Sequence, residues 1–269
     1  MDSSDAIDPR GGVSNEVTDR TAQHPLGTTF SGEQAPRRVT WIVLLAAVLA
    51  GVVAWLVGET DLVEVKPKQF LMNVMGAMTT SSTGESEMAA KVASAARVYG
   101  VLGAALGLSL GIAGYLSRRK PVKAWVPALL GAGLGALAGY ATSYAGVPMF
   151  ERSRLTHPVE LMPSMLLHGS IWGAIGAACG LTFGVGAGVR PILLVRCLLG
   201  GLVGALVGTT LFETLGVVFF SSDQTGDPVS LSSGSRLLGR LLICVFSAAG
   251  VLVGIRERPR VESAKLSIG

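Results

Sequence analysis

The stretch Leu198–Glu213, LLGGLVGALVGTTLFE, decides how the rest of the chain is read. It is apolar almost throughout, carries Gly200, Gly204 and Gly208 at four-residue intervals, and stops on an acid. A second copy lies 69 residues upstream, Leu129–Tyr144, LLGAGLGALAGYATSY. A fainter third lies a further 85 residues back, Leu44–Glu59, LLAAVLAGVVAWLVGE. A helix needs about 20 apolar residues to cross a hydrocarbon layer about 30 Å thick. Recurrence of such a run predicts an all-α, polytopic integral membrane bundle with internal repetition.

Composition points the same way. Charged residues make up 15% of the chain, against about 25% in ordinary soluble domains. Mean hydropathy is +0.53, and 36 of the 269 residues are glycine. The net charge of +4 comes from short basic clusters between apolar runs. That placement fits membrane topology and gives no patch for nucleic acid. Cys179, Cys197 and Cys244 lie within or at the edge of apolar runs with no CxxC spacing. They read as small apolar residues, neither zinc ligands nor a disulfide framework. The chain holds no GxGxxG, GxxxxGK[ST], HExxH or GxSxG, so no enzyme activity, cofactor or metal is expected.

Residues 1–38 read as a disordered cytoplasmic tail, 39–256 as a six-helix membrane domain, and 257–269 as a second polar cytoplasmic tail. The expected spans are 41–57, 97–116, 124–144, 165–186, 192–211 and 236–254. Arg37-Arg38 before the first run also fits a twin-arginine signal. The run is long for a signal, however, and it matches the later copies. The connection over 58–95 contains QFLMNVMGAM, Gln69–Met78, expected as a short interfacial or packed segment. TTSSTGESEM follows as a helix start, with Glu85 and Glu87 in the first turn.

Basic residues set the orientation. Arg37 and Arg38, then Arg118, Arg119, Lys120 and Lys123, then Arg190 and Arg196, then Arg256, Arg258 and Arg260 all fall at one end of the six spans. Glu59, Asp61, Glu64, Glu151, Asp223 and Asp227 fall at the other. The pattern predicts both termini in the cytoplasm, in the plasma membrane, the inner one if the source is bacterial.

The spacing extends beyond single spans. Gly107 and Gly111 recur as Gly176 and Gly180, and Gly131, Gly135 and Gly139 as Gly200, Gly204 and Gly208. The loop pair Pro158-Val159 recurs as Pro228-Val229. Three tandem two-helix repeats, all parallel, imply a pseudo-threefold axis along the membrane normal. Glycine every fourth residue lets helix backbones approach closely, where van der Waals packing replaces the missing hydrophobic drive. These stripes are expected to pack the bundle. Association with a second copy or another membrane protein is their other use.

Ionisable groups at membrane depth are costly and so are candidate functional residues. Glu213, His168 and Arg240 qualify, with Arg240 placed to pair with Glu213 across the last hairpin. Tyr144 and Tyr99 occupy the repeat-equivalent positions of Glu213 and His168, and Glu59 the Glu213 position of the first copy. A polar cluster of Glu59, Tyr99, Tyr144, His168, Glu213 and Arg240 is expected. Histidine beside a carboxylate relays protons or holds a cation. The simpler alternative is that these groups face lipid headgroups. The expected function is a small permease or channel with the cluster as its mouth. The alternative is a non-catalytic membrane subunit packed against a partner or itself.

Overall fold

The computed structural model describes residues 34–60, 65–74, 77–117, 123–156, 161–220 and 227–256. Both expected tails beyond those limits lie outside the described residues, as do Asp61, Glu64, Arg118, Arg119, Lys120, Pro158, Val159, Asp223, Arg258 and Arg260.

Six helices carry the fold: α1 Gln34–Gly58, α2 Gly84–Leu116, α3 Trp125–Thr156, α4 Leu161–Ala187, α5 Pro191–Phe219 and α6 Ser233–Arg256. All six are long and apolar enough to cross a membrane, which suggests an integral membrane protein. Without water to pair with the backbone, an apolar run satisfies its own N–H and C=O groups only as a helix.

The helices outrun the expected spans. α1 begins at Gln34, five residues inside the segment read as a tail, and α3 runs on to Thr156. α2 begins at Gly84, within TTSSTGESEM where a helix start is expected and ahead of the apolar span from 97, because its start is set by a cap and not by hydropathy. Thr83 accepts a hydrogen bond from Ser86 N at 3.3 Å, and Glu85 and Glu87 occupy the first turn. At 33 residues α2 is about 50 Å long, more than a hydrocarbon layer about 30 Å thick requires. The all-helical expectation holds, with one addition outside the helices. β1 Gln69–Val74 and β2 Ala77–Ser82 form an antiparallel hairpin, with Phe70 opposite Ser81 and Leu71 opposite Thr80. The segment expected to lie interfacial or packed is a strand pair in front of α2.

Each helix packs on its chain neighbours, and α1 closes the ring onto α6. α2, α4 and α6 lie inside and meet one another, while α1, α3 and α5 sit in the grooves between them. Leu102, Leu106 and Leu110 of α2, Ile171, Ile175 and Phe183 of α4, and Ile243 and Val251 of α6 fill the centre without exposure.

Glycine decides the closest approaches. A Cβ at Gly107 would stand 1.9 Å from Gly131 O, one at Gly135 2.0 Å from Gly103 O, and one at Gly139 2.2 Å from Tyr99 O. A Cβ at Gly111 would meet Pro127 O at 2.2 Å. α2 and α3 therefore touch backbone to backbone over three turns. Between α4 and α5, Gly176 and Gly180 face Gly201 O and Cys197 O. The stripe Gly200, Gly204 and Gly208 turns the other way, toward Gly250 O, Phe246 O and Leu242 O of α6. Sequence-equivalent stripes thus meet different partners: that of α3 faces back to α2, and that of α5 faces forward to α6. α5 manages both contacts because Gly201 stands beside Gly200 and Ala205 beside Gly204. The α4–α5 turn needs one more glycine, Gly188, whose φ of 145° L side chains rarely adopt. Pro191 then opens α5.

Candidate functional site

Three helices deliver polar side chains to one depth. His168 lies seven residues into α4, Glu213 six residues before the end of α5, and Arg240 seven residues into α6. At 1.5 Å per residue each sits about 10 Å below the end of the bundle that carries the hairpin.

His168 Nδ1 lies 2.6 Å from Glu213 Oε1, and the two side chains are 1% and 4% exposed. Ser164, one turn before His168, donates to the same Oε1 at 2.8 Å. With Glu213 ionised, Nδ1–H of His168 is the second donor to that oxygen. Such double donation holds a buried carboxylate better than either bond alone. Trp172 and Phe212 wall the imidazole, with ring centroids 5.3 and 5.8 Å away. The order of the three polar groups is wrong for nucleophilic catalysis. Ser164 shares the Nδ1 side of the ring with Glu213, whereas a triad needs serine on Nε2.

Arg240 does not pair with Glu213. Its Nη1 donates to Ala54 O at 3.2 Å and Trp55 O at 3.1 Å, at the C-terminal end of α1. The guanidinium lies directly on Gly58, where any Cβ would collide with Nη2. The carbonyl end of a helix carries partial negative charge and suits a cation. Glu59 is committed elsewhere, to Arg236 Nε at 2.8 Å and Nη2 at 2.6 Å. That hydrogen-bonded guanidinium holds the Glu59 carboxyl below the usual carboxylate range.

Above this layer runs a strap, Asp227–Leu231. Tyr99 OH donates to Pro228 O at 2.6 Å. Arg154 pairs with Asp227 at 2.5 Å. Arg236 Nη1 donates to Ser230 O at 3.1 Å and Leu231 O at 2.7 Å. On the outer side of the strap lies a cleft of about 560 Å³, bordered by Glu59, Glu87, Lys91, Ser94 and Asp227. On its inner side lies a cavity of about 20 Å³ between Tyr99, His168, Trp172, Ser235 and Arg240. Val98, Val229, Ser230 and Arg236 border both.

The expected cluster is thus distributed. His168 and Glu213 touch, Tyr99 and Arg240 share a cavity with His168, and Glu59 stands above them. Tyr144 is not part of it. It is 61% exposed on the outer face of α3 and stacks on Tyr140 at 6.2 Å. Its side of α3 points away from the bundle, because the stripe of Gly131, Gly135 and Gly139 turns the opposite face toward α2. Sequence reasoning missed Ser164, Arg236 and the strap. Ser164 and Arg236 each stand four residues before a residue that was found, on the same helix face, and that spacing could have flagged them. Among the described residues no three His, Cys, Asp or Glu side chains are grouped to hold a metal ion. Compared with protein-family models, curated proteins and solved structures, the chain matches none.

Proposed function

We propose that the protein is a small multi-pass permease caught open toward the hairpin end and closed toward the basic end. The observation that carries this reading is the buried His168–Glu213 pair, with His168 lining a small cavity that shares Val98, Val229, Ser230 and Arg236 with the cleft above it. A histidine beside a carboxylate at membrane depth is the kind of pair a proton-coupled carrier uses. Below the pair the centre is filled by Leu106, Leu110, Ile175 and Phe183, which favours a carrier over an open pore. Both termini face the cytoplasm, since the basic residues collect at that end. The alternation of inner and outer helices, together with the 69-residue spacing, supports three tandem two-helix repeats. An experimental structure in which α2–α3 fits α4–α5 no better than an arbitrary helix pair counts against that descent.

The test is proton flux in proteoliposomes under an imposed pH gradient, read with an entrapped pH dye. Flux that disappears in Glu213→Gln supports the reading; equal flux in empty vesicles, the wild type and Glu213→Gln sinks it. The filled centre also favours a second reading, a non-transporting membrane subunit that packs on a partner or on itself. Absent flux with a stoichiometric co-purifying partner decides for that one.

A further inference from the structure

The His168–Glu213 pair is buried, so any proton it takes up needs a route. Toward the basic end the centre is filled by Leu106, Leu110, Ile175 and Phe183. Toward the hairpin end His168 lines the cavity of about 20 Å³ beneath the strap, a space for one water. Glu213 takes Nδ1 of the ring, which leaves the lone pair of Nε2 as its basic site. Four residues border both this cavity and the cleft: Val98, Val229, Ser230 and Arg236. The two valines carry no polar side-chain atom. Arg236 is bound to Glu59, and a guanidinium does not give up its proton. Ser230 differs from all three. It is 7% exposed, Arg236 holds its carbonyl and not its hydroxyl, and among the described residues that hydroxyl has no hydrogen-bond partner. A hydroxyl both donates and accepts, so at this wall Ser230 is the side chain able to hand a proton across.

We propose that Ser230 and a single water bound in this cavity form a relay that carries protons between the cleft and Nε2 of His168. The Ser230 hydroxyl gives its proton to the cavity water and takes one from the cleft. The water passes a proton on to Nε2. Nδ1–H then moves to Glu213 Oε1, so the pair gains one proton and the relay is restored. The other charged or titratable groups around the ring are Tyr99 on α2 and Arg236 and Arg240 on α6. Tyr99 is committed to Pro228 O and Arg240 to Ala54 O and Trp55 O, which leaves the transfer to Ser230. The relay deepens the permease reading by giving its proton a path, and rests on that reading for its use in transport. Proton uptake by the pair is nevertheless read without any transport.

The experiment uses the full chain purified in detergent, in a Trp41→Phe, Trp55→Phe, Trp125→Phe background that leaves Trp172 as the reporter. The His168 and Trp172 rings are 5.3 Å apart, and an imidazolium at that distance quenches indole emission. A microsecond pH jump followed by Trp172 emission gives the rate at which the pair takes up a proton. A quenching step that is absent in His168→Gln and slower in D2O is expected. Ser230→Ala, which removes the hydroxyl at little change in volume, should slow it by about tenfold or more, and Ser230→Thr should restore it. The D2O comparison needs no substitution at the strap and stands if Ser230→Ala does not fold. Equal rates with Ser, Ala and Thr at this position overturn the relay. A rate indifferent to D2O, no quenching step, or a step that survives in His168→Gln overturns it as well. Ser230-dependent uptake without proton flux removes the permease reading and leaves the relay standing; flux with uptake indifferent to Ser230 does the reverse.

Discussion

Nδ1 of His168 stands 2.6 Å from Oε1 of Glu213, with neither side chain more than 4% exposed. Each is the other's answer to burial. Removing one leaves a polar group stranded where no water reaches, while an isosteric change keeps the bonds and removes only the charge. His168→Ala should therefore cost about 3 kcal/mol of stability, and Glu213→Gln clearly less. Chemical or thermal unfolding in a fixed detergent measures both. Equal losses for the two would mean that the charge, not the hydrogen bonding, dominates.

The glycine contacts give a position-specific prediction. A Cβ at Gly107 would enter Gly131 O at 1.9 Å, whereas one at Gly133 meets nothing within 4 Å. Gly107→Ala must push two backbones apart and should destabilise by about 1–3 kcal/mol. Gly133→Ala, on the same pair of helices, should stay near neutral or gain from better helix propensity. The folded fraction after size-exclusion chromatography at raised temperature separates them.

The strap rests on one phenol. Tyr99→Phe removes the hydrogen bond to Pro228 O and should cost about 1 kcal/mol. The larger effect is local: a cysteine placed at Ser230, which is buried, should react with a small methanethiosulfonate reagent several-fold faster in the Tyr99→Phe background. The native Cys179, Cys197 and Cys244 are buried and leave a quiet baseline. An unchanged rate means that Arg154 and Arg236 hold the strap without Tyr99.

Acid should loosen the mouth. The Glu59 carboxyl is held below its ordinary value of 4.5, chiefly by its hydrogen bond to Arg236. A lowered folded-state value means that the contribution is complete above about pH 4.5 and is lost as pH falls through the depressed value. Wild type should thus lose stability relative to Glu59→Gln on acidification below that point, and the two should run parallel above it. The side chain is partly exposed, so the effect is small.

Orientation has its own test. A cysteine at Ser117, on the basic end, should resist an impermeant maleimide added to intact cells, while one at Ser232 should label. The reverse pattern inverts the topology.

Much of this architecture is legible in the chain because lipid simplifies the code. An apolar run of sufficient length has one backbone solution, and the glycine spacing marks where helices meet. The hairpin was not legible: Gln69–Val74 and Ala77–Ser82 are short, and six-residue strands leave little periodic signal. The direction of each glycine stripe was hidden too. Gly131 and Gly200 sit at equivalent positions, yet one faces Gly107 and the other Gly250, because the second choice depends on Gly201 and Ala205 serving the opposite face. In the site, depth could be counted along each helix, which located His168, Glu213 and Arg240. Rotation could not, so Tyr144 was included and the Arg240 partner misassigned.

The helix that closes the ring carries a consequence for how the protein is made. α1 leaves the ribosome first, yet one of its two neighbours, α6, is synthesised last. Gly51 lies against Arg240 O and Leu241 of α6, and the Arg240 clamp on Ala54 and Trp55 does not exist until α6 arrives. α1 must therefore wait in lipid half-docked, and it has the most apolar window of the six, as a solitary helix requires. The ring closes between the first and last of the six helices, and a nascent chain stalled after Phe219 should show α1 crosslinking to lipid and releasing on completion.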